Sequence, residues 1–161
     1  MKKGLVALFV CIFLVGVAAH ALAVGTSAEA EAMVKKAAAF IEANGKEKAF
    51  AAFSDKKGQF VKEDLYIFAI DITGKVLAHG GNPALVGKDM SGAKDADGKL
   101  FIKEIIEAAK TKGSGWIDYK WANPTTQKVD QKSTYYLKSG DVILGCGVYK
   151  QSRTVRTGPF S

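Results

Sequence analysis

The last third of the chain leaves the fold least freedom. Three β-patterned segments, GWIDYKW, KSTYYLK and DVILGCGVYK, follow one another with turn signals between them. Asn123-Pro124 to Gln127 begins the first connection and Ser139-Gly140 the second. Upstream, DLYIFAID alternates Tyr66, Phe68 and Ile70 with Leu65, Ile67 and Ala69. Asp71-Ile72-Thr73-Gly74 turns the chain, and KVLAH brings it back as a hairpin. Helical patterns account for most of the remainder. Ala28 to Ala43 carries Met33, Ala37, Phe40 and Ile41 on one side, Asn44-Gly45 offers a stop or bend, and KEKAFAAF presents Ala49, Phe50 and Phe53. A third helix in KLFIKEIIEAAK has the apolar stripe Phe101, Ile102, Ile105 and Ala109, with Asp97 or Asp95 as its expected cap and Gly113 and Gly115 as its end. The expected architecture is an α+β domain: a five-stranded antiparallel sheet, a long N-terminal helix and an additional helix in the crossover. The glycine-rich stretch GGNPALVGKDMSG is expected to fold over one sheet face as a lid or pocket wall.

The first residues stand apart from this pattern. Lys2 and Lys3 precede the apolar run GLVALFVCIFLVGVAA, and Ala21-Leu22-Ala23 has the small-x-small form of a cleavage site. Residues 1–23 therefore read as a signal peptide, and the run is short for a spanning helix. No second run of that kind follows, so no membrane association is expected after cleavage, and the destination is periplasmic or secreted. Cys11 sits in LFVC without the small residue that precedes a lipidated cysteine. The remaining length, about 140 residues, suits one domain with a hydrophobic core, read here as residues 24–150. QSRTVRTGPFS lacks periodicity, and residues 151–161 read as a flexible tail.

Composition excludes several functions. Without Lys2 and Lys3 the net charge is about +5, and the lysines are scattered rather than clustered. That charge can attract an anion but does not mark a nucleic-acid surface. Cys146 is the one cysteine beyond the apolar run, so no internal disulfide framework is expected. Its setting in VILGCGVY reads as a buried small hydrophobe. His79 is the one histidine beyond the leader, which leaves no His and Cys cluster for a transition metal. KDADGK resembles a calcium loop, but its glycine is out of register and the later acidic ligand is missing. No phosphate loop and no nucleophile setting occurs. The chain reads as neither an enzyme nor a metal or cofactor protein.

What remains is a sheet face rich in aromatic side chains. Within GWIDYKW, alternation puts Ile117, Tyr119 and Trp121 on one side and Trp116, Asp118 and Lys120 on the other. Neither side is plainly solvent. Tyr119 and Trp121 are assigned to a pocket and Trp116 to a helix contact or the pocket rim. Gly145, Cys146 and Gly147 are small residues in a strand that otherwise favours bulk. They leave room for a close helix or for a small molecule, with Tyr149 on the glycine face. His79 either closes the hairpin through a backbone hydrogen bond or donates into a cavity. Lys120 and Lys132 are either solvated charges or donors.

The order of these motifs resembles the single Cache domain family, in particular the second type of these extracytoplasmic sensor domains. The resemblance runs from Met33 to Lys150. It passes through AAAFIEANGKEKAFAAF, KGQFVKEDLYIFAIDITGKVLAHGGNPALVGKDM, KDADGKLFIKEIIEAAKTKGSGWIDYKWANP, KSTYYLK and GDVILGCGVYK. It implies a PAS-like antiparallel sheet that binds small ligands outside the cytoplasm, with small organic acids among the familiar ligands. By position in the family pattern, Tyr66, Phe68, His79, Trp116, Tyr119, Trp121, Lys132, Tyr135 and Tyr149 are the residues expected to line or support the pocket. Gly80-Gly81-Asn82-Pro83 stands where the motif often reads His-Pro-x-Asn-Pro, and the lost first proline is expected to loosen the crossover. Receptor relatives continue into a membrane span and signalling modules, whereas this sequence ends at Ser161. The expectation is a freestanding binding protein that reports occupancy to a separate membrane-bound signalling partner, with helix-mediated homodimers as an assembly the resemblance allows. The rival is a structural or protein-interaction module without a ligand, in which that sheet face is filled by its own side chains.

Overall fold

A computed structural model describes residues 25–150. The expected signal peptide and C-terminal tail lie outside the described residues. Helix α1 (Ser27–Asn44) starts at a capping box. The Thr26 hydroxyl accepts from the Glu29 amide, and the Glu29 carboxylate accepts from the Thr26 amide. Gly45, at φ 78°, ends α1 and begins α2 (Lys46–Ser54), a bend that a side chain would strain. Two short strands follow, β1 (Val61–Lys62) and β2 (Leu65–Tyr66), and then β3 (Phe68–Asp71) and β4 (Val76–His79). After a single 3-10 turn at Pro83–Leu85 come α3 (Phe101–Lys112), β5 (Ser114–Ala122), β6 (Val129–Ser139) and β7 (Val142–Tyr149).

The main sheet has the order β4-β3-β7-β6-β5, antiparallel throughout. This is the expected α+β architecture. The last strand in sequence, β7, is the middle one in space, and it is buried along its whole length. Helices α1 and α2 cover one face, packing Val34, Ala37 and Phe53, with Phe60 from the segment after α2, on Leu144, Cys146 and Val148. The other face carries α3 and the crossover, with Phe101, Ile102, Ile105 and Ile106 against Phe68, Ile70 and Ile143. Cys146 is fully buried on the helix side, and its thiol is pushed up to about 12 by that burial.

Four local expectations need correction. DLYIFAID is two strands, because the chain breaks at Ile67: its amide donates to the Phe60 carbonyl and its own carbonyl accepts from Gly80. Leu100 occupies the N-cap of α3, without a side-chain bond. Asp95 instead accepts from the Asp97, Lys99 and Lys120 amides, which ties the crossover to β5. Gly113, at φ 78°, does end α3, but Gly115 is already in β5, opposite Tyr136. The crossover is also pinned where the proline is missing. Gly80 donates to Ile67, a bond that proline lacks the N–H to make, and the Gly81 backbone lies on the Tyr66 ring.

Two features aim side chains at the α3 side. Ala69 pairs with Ala78 but Ile70 pairs with Val76, so Leu77 is an extra residue in β4. This bulge points both Val76 and His79 to the same face, which strict alternation forbids. The crossover then runs from one sheet edge to the other. Its Lys88 carbonyl and Gly87 amide bond to Val76 in β4, and Asp95 holds β5.

On β7, Gly145 lies flat under the Phe68 ring and Gly147 under the Lys132 and Thr134 side chains. The space that the two glycines leave is thus taken up by the protein itself. A Cβ on Gly145 would collide with the ring of a side chain that is 5% exposed and has no free direction. Gly145→Ala is expected to destabilise the domain by about 1–3 kcal/mol, seen in urea unfolding as a lower midpoint with an unchanged slope.

Candidate functional site

The α3 side of the sheet holds a cleft in two parts. An inner apolar cleft of about 20 Å³ is walled by Phe68, Ile70 and Val76 from the sheet, Phe101 and Ile102 from α3, and Leu85 and Met90 from the crossover. Its volume matches roughly one water-sized group. Outside it lies a polar basin of about 350 Å³. Lys56 follows α2, Gly81 and Asn82 open the crossover, and Ala122 to Pro124 with Gln127 form the β5–β6 turn. Tyr66, His79, Leu85 and Trp121 border both parts and form the gate between them. The crossover is therefore a pocket wall, contributing Leu85 and Met90.

Behind the gate is a buried polar cluster. Lys132 is 1% exposed, and its stem crosses the backbone of Gly147. Its Nζ donates to the Tyr66 hydroxyl at 2.7 Å and the Tyr149 hydroxyl at 3.3 Å. It also lies 4.0 Å from the Tyr66 ring centre and 4.8 Å from that of Tyr149. Tyr149 donates to the Ala122 carbonyl at 2.8 Å, and the two hydroxyls are 3.2 Å apart. Tyr149 has one proton, and Ala122 receives it, so Tyr66 is the donor between the tyrosines. No carboxylate pairs with Lys132 among the described residues. Burial alone holds its amine down to about 7, only partly opposed by the fields of Cys146 and Asp64. Burial likewise raises the Tyr66 and Tyr149 hydroxyls above the usual phenol range.

His79 makes the expected backbone hydrogen bond and also borders the cleft. Its Nδ1 accepts the Asn82 amide at 2.9 Å, which fixes the start of the crossover. The ring proton of the neutral imidazole is therefore on Nε2, for which no protein acceptor exists among the described residues. Burial, with Lys132 beside it, holds the imidazole down to about 3, so it is a neutral donor at physiological pH. Its ring packs tilted against Tyr66 at 5.0 Å and stacks with Phe68 at 6.1 Å.

Of the nine residues singled out from sequence, Tyr66, Phe68, His79, Tyr119 and Trp121 line the cleft, and Lys132 and Tyr149 form the cluster behind it. Trp116 and Tyr135 lie on the opposite face, their rings 5.3 Å apart. Tyr135 belongs to the helix-side core, and Trp116 is 40% exposed. Strand alternation is the reason, since Trp116 and Tyr135 face each other across the β5–β6 pair one residue out of step with Tyr119 and Tyr136. The assigned register of Tyr119 and Trp121 matches the structure. The Tyr119 hydroxyl, however, bonds Thr134 at 3.0 Å, and its ring stacks on Phe101 at 4.3 Å, so both parts are engaged within the protein. Tyr119→Phe is thus expected to lower fold stability by about 0.5–1.5 kcal/mol, measured by chemical denaturation. Thr134, Leu85, Met90 and the polar basin were not among the candidates. Asn82-Pro83 and the β5–β6 turn were the available signals for the basin.

The buried amine also has a thermodynamic signature. An unfolded lysine titrates near 10.4, so from pH 7 upward the unfolded chain binds the extra proton and stability rises with pH. Relative to a Lys132→Met variant, the protein is expected to gain up to about 1.4 kcal/mol per pH unit between pH 7.5 and 9.5. His79 acts in the same sense lower down, with stability falling as pH drops from about 6.5 toward 3. Denaturation series at each pH measure both, and a flat difference for Lys132→Met contradicts a buried, unpaired amine.

Comparison with known proteins bears on what such a cleft is for. The model of a family described as Single Cache domain 2 matches residues 17–156. The chain is 31% identical over 88 residues to the methyl-accepting chemotaxis protein McpP of Pseudomonas putida, covering 53% of this chain and 16% of that receptor. The chain thus spans less than a fifth of that curated relative. Among solved structures, a methyl-accepting chemotaxis protein from Vibrio parahaemolyticus is 27% identical with a TM-score of 0.65, covering 76% of this chain and 86% of that one. A Cache chemosensory domain that recognises carboxylic acids is 25% identical with a TM-score of 0.61, covering 75% of this chain and 86% of that one.

Proposed function

Because the chain belongs to the single Cache domain 2 family, we propose that it is a periplasmic or secreted sensor domain whose ligand is a small organic acid, a short monocarboxylate. Single Cache domains are ligand-binding modules and not enzymes. The observation that carries the reading is Lys132: a buried amine with hydroxyl partners and no carboxylate, directly behind an aromatic gate. Burying a charge without a partner is expensive, and an anionic ligand supplies the partner. The carboxylate docks against Tyr66, His79 and Trp121, with the Nε2 proton of His79 as a donor and Lys132 as the counter-charge. The short apolar tail enters the cleft over Phe68 and Phe101. A cleft of about 20 Å³ favours ligands with little beyond the carboxylate.

Support also comes from the solved Cache domain that recognises carboxylic acids. A signalling partner anchored in the membrane fits a relative such as McpP, and the family resemblance allows a helix-mediated homodimer. The rival, an interaction module without a ligand, is disfavoured by the basin of about 350 Å³ that stays open over Trp121.

Calorimetry of the purified domain against short monocarboxylates, amino acids, amines and purines tests the reading. Monocarboxylates are expected to bind, and Trp121→Ala to weaken them at least tenfold. Metabolites released from the protein that are exclusively cationic or uncharged would reject the proposed class.

A further inference from the structure

The hydrogen-bond arithmetic around Lys132 goes one step past the proposed ligand class, and rests on it. The cluster offers Nζ two acceptors, the hydroxyl oxygens of Tyr66 and Tyr149. A neutral amine has two N–H groups and an ammonium has three. The Tyr149 proton is committed to Ala122 and the Tyr66 proton to Tyr149, so the donors run in one direction, away from Nζ. Nothing among the described residues accepts a third N–H. With two hydroxyl acceptors and no carboxylate, the enclosure is one hydrogen-bond acceptor and one negative charge short of a fully paired ammonium, which the Tyr66 and Tyr149 ring faces only partly offset. A carboxylate brings both.

We propose that Lys132 is a neutral amine in the free domain and captures one proton from solvent as a carboxylate docks, so that this single protonation sets the affinity for anions and the exclusion of cations. The step is a proton transfer only: the amine lone pair forms a new N–H bond with a proton taken from the buffer, and no bond in the ligand breaks. The product is an ammonium–carboxylate contact beside the Tyr66 hydroxyl.

Other groups facing the site leave the relevant pH window clear. Tyr66 from β2, Tyr149 from β7 and Tyr119 from β5 are all raised above the usual phenol value by burial. Cys146 from β7 is pushed up to about 12, and His79 from β4 is held down to about 3. Asp64, whose field reaches Lys132, accepts the Gly25 amide, Asp130 acts on Tyr149 from the base of the β5–β6 turn, and Lys56 borders the outer basin. The burial that holds the Lys132 amine down to about 7 leaves it as the group that titrates beside the cleft between pH 7 and 9.5.

The test is calorimetric titration of the whole domain with propionate from pH 5.5 to 9.5, in pairs of buffers with different ionisation heats. Proton uptake is expected to rise from near zero at pH 5.5 toward one per ligand at pH 9, while the affinity falls about tenfold per pH unit above pH 8. Lys132→Arg, charged at every pH, is expected to abolish the uptake, and Lys138→Met, at an exposed lysine of the same strand, to keep it. The wild-type uptake stands as a measurement even where a variant fails to fold. Tight propionate binding with no proton uptake, or with an affinity independent of pH, overturns this proposal and leaves the carboxylate reading intact. Absence of binding by propionate and by every other short monocarboxylate down to pH 5.5 overturns both.

Discussion

The architecture depends on how closely side chains approach the backbone of β7 at two glycines. This strand is central in the sheet and buried on both sides, and on the helix side it carries ordinary bulk in Leu144, Cys146 and Val148. On the other side Gly145 and Gly147 present bare backbone, and Phe68 and Lys132 lie down on it. Phe68 thereby becomes the floor of the apolar cleft, and Lys132 is brought below the sheet surface to the tyrosine hydroxyls. With side chains at 145 and 147 the aromatic floor would stand higher and the lysine head would be forced outward, toward water. Glycine in a strand costs conformational entropy; here that cost secures a buried amine.

The cleft is then enclosed by a segment with little regular structure. From Gly80 to Lys99 the crossover contains a single 3-10 turn, yet it is held at both margins of the sheet and supplies Leu85 and Met90 to the cleft. Its rigidity comes from backbone bonds and carboxylate caps: Asp89 accepts from the Ser91 amide, and Asp95 from three amides. Surface ion pairs such as Lys120–Asp97 and Lys150–Asp118 are exposed and add little.

Much of this was legible in the sequence because strand alternation is a strong signal where turns are clear. Ile117, Tyr119 and Trp121 share a face, as do Tyr66, Phe68 and Ile70. The long strands, the three helices and the burial of Cys146 followed from the same periodicity. Legibility failed where position depends on contacts across the fold. Val76, Leu77 and Ala78 are all apolar, so no pattern marks Leu77 as a bulge. Tyr135 and Tyr136 are adjacent and similar, and only the pairing with β5 shows that Tyr136 faces α3 while Tyr135 packs under α1. Lys132 sits in VDQKSTYY like a solvated charge, and its burial is decided by Gly147, fifteen residues away. The split of DLYIFAID likewise rests on two distant backbone bonds to Ile67.

The path of the crossover has a further consequence, for colloidal behaviour. Unpaired strand edges are where β-rich proteins recruit one another into aggregates. In this sheet the outer strand β4 has its Val76 amide and carbonyl occupied by Lys88 and Gly87, and the outer strand β5 has its Lys120 amide held by Asp95 and its Asp118 carbonyl by the Lys99 ammonium. Adding a strand at either position means first peeling away the segment that walls the cleft. Anything that tightens the cleft wall therefore also guards the sheet against edge-to-edge association.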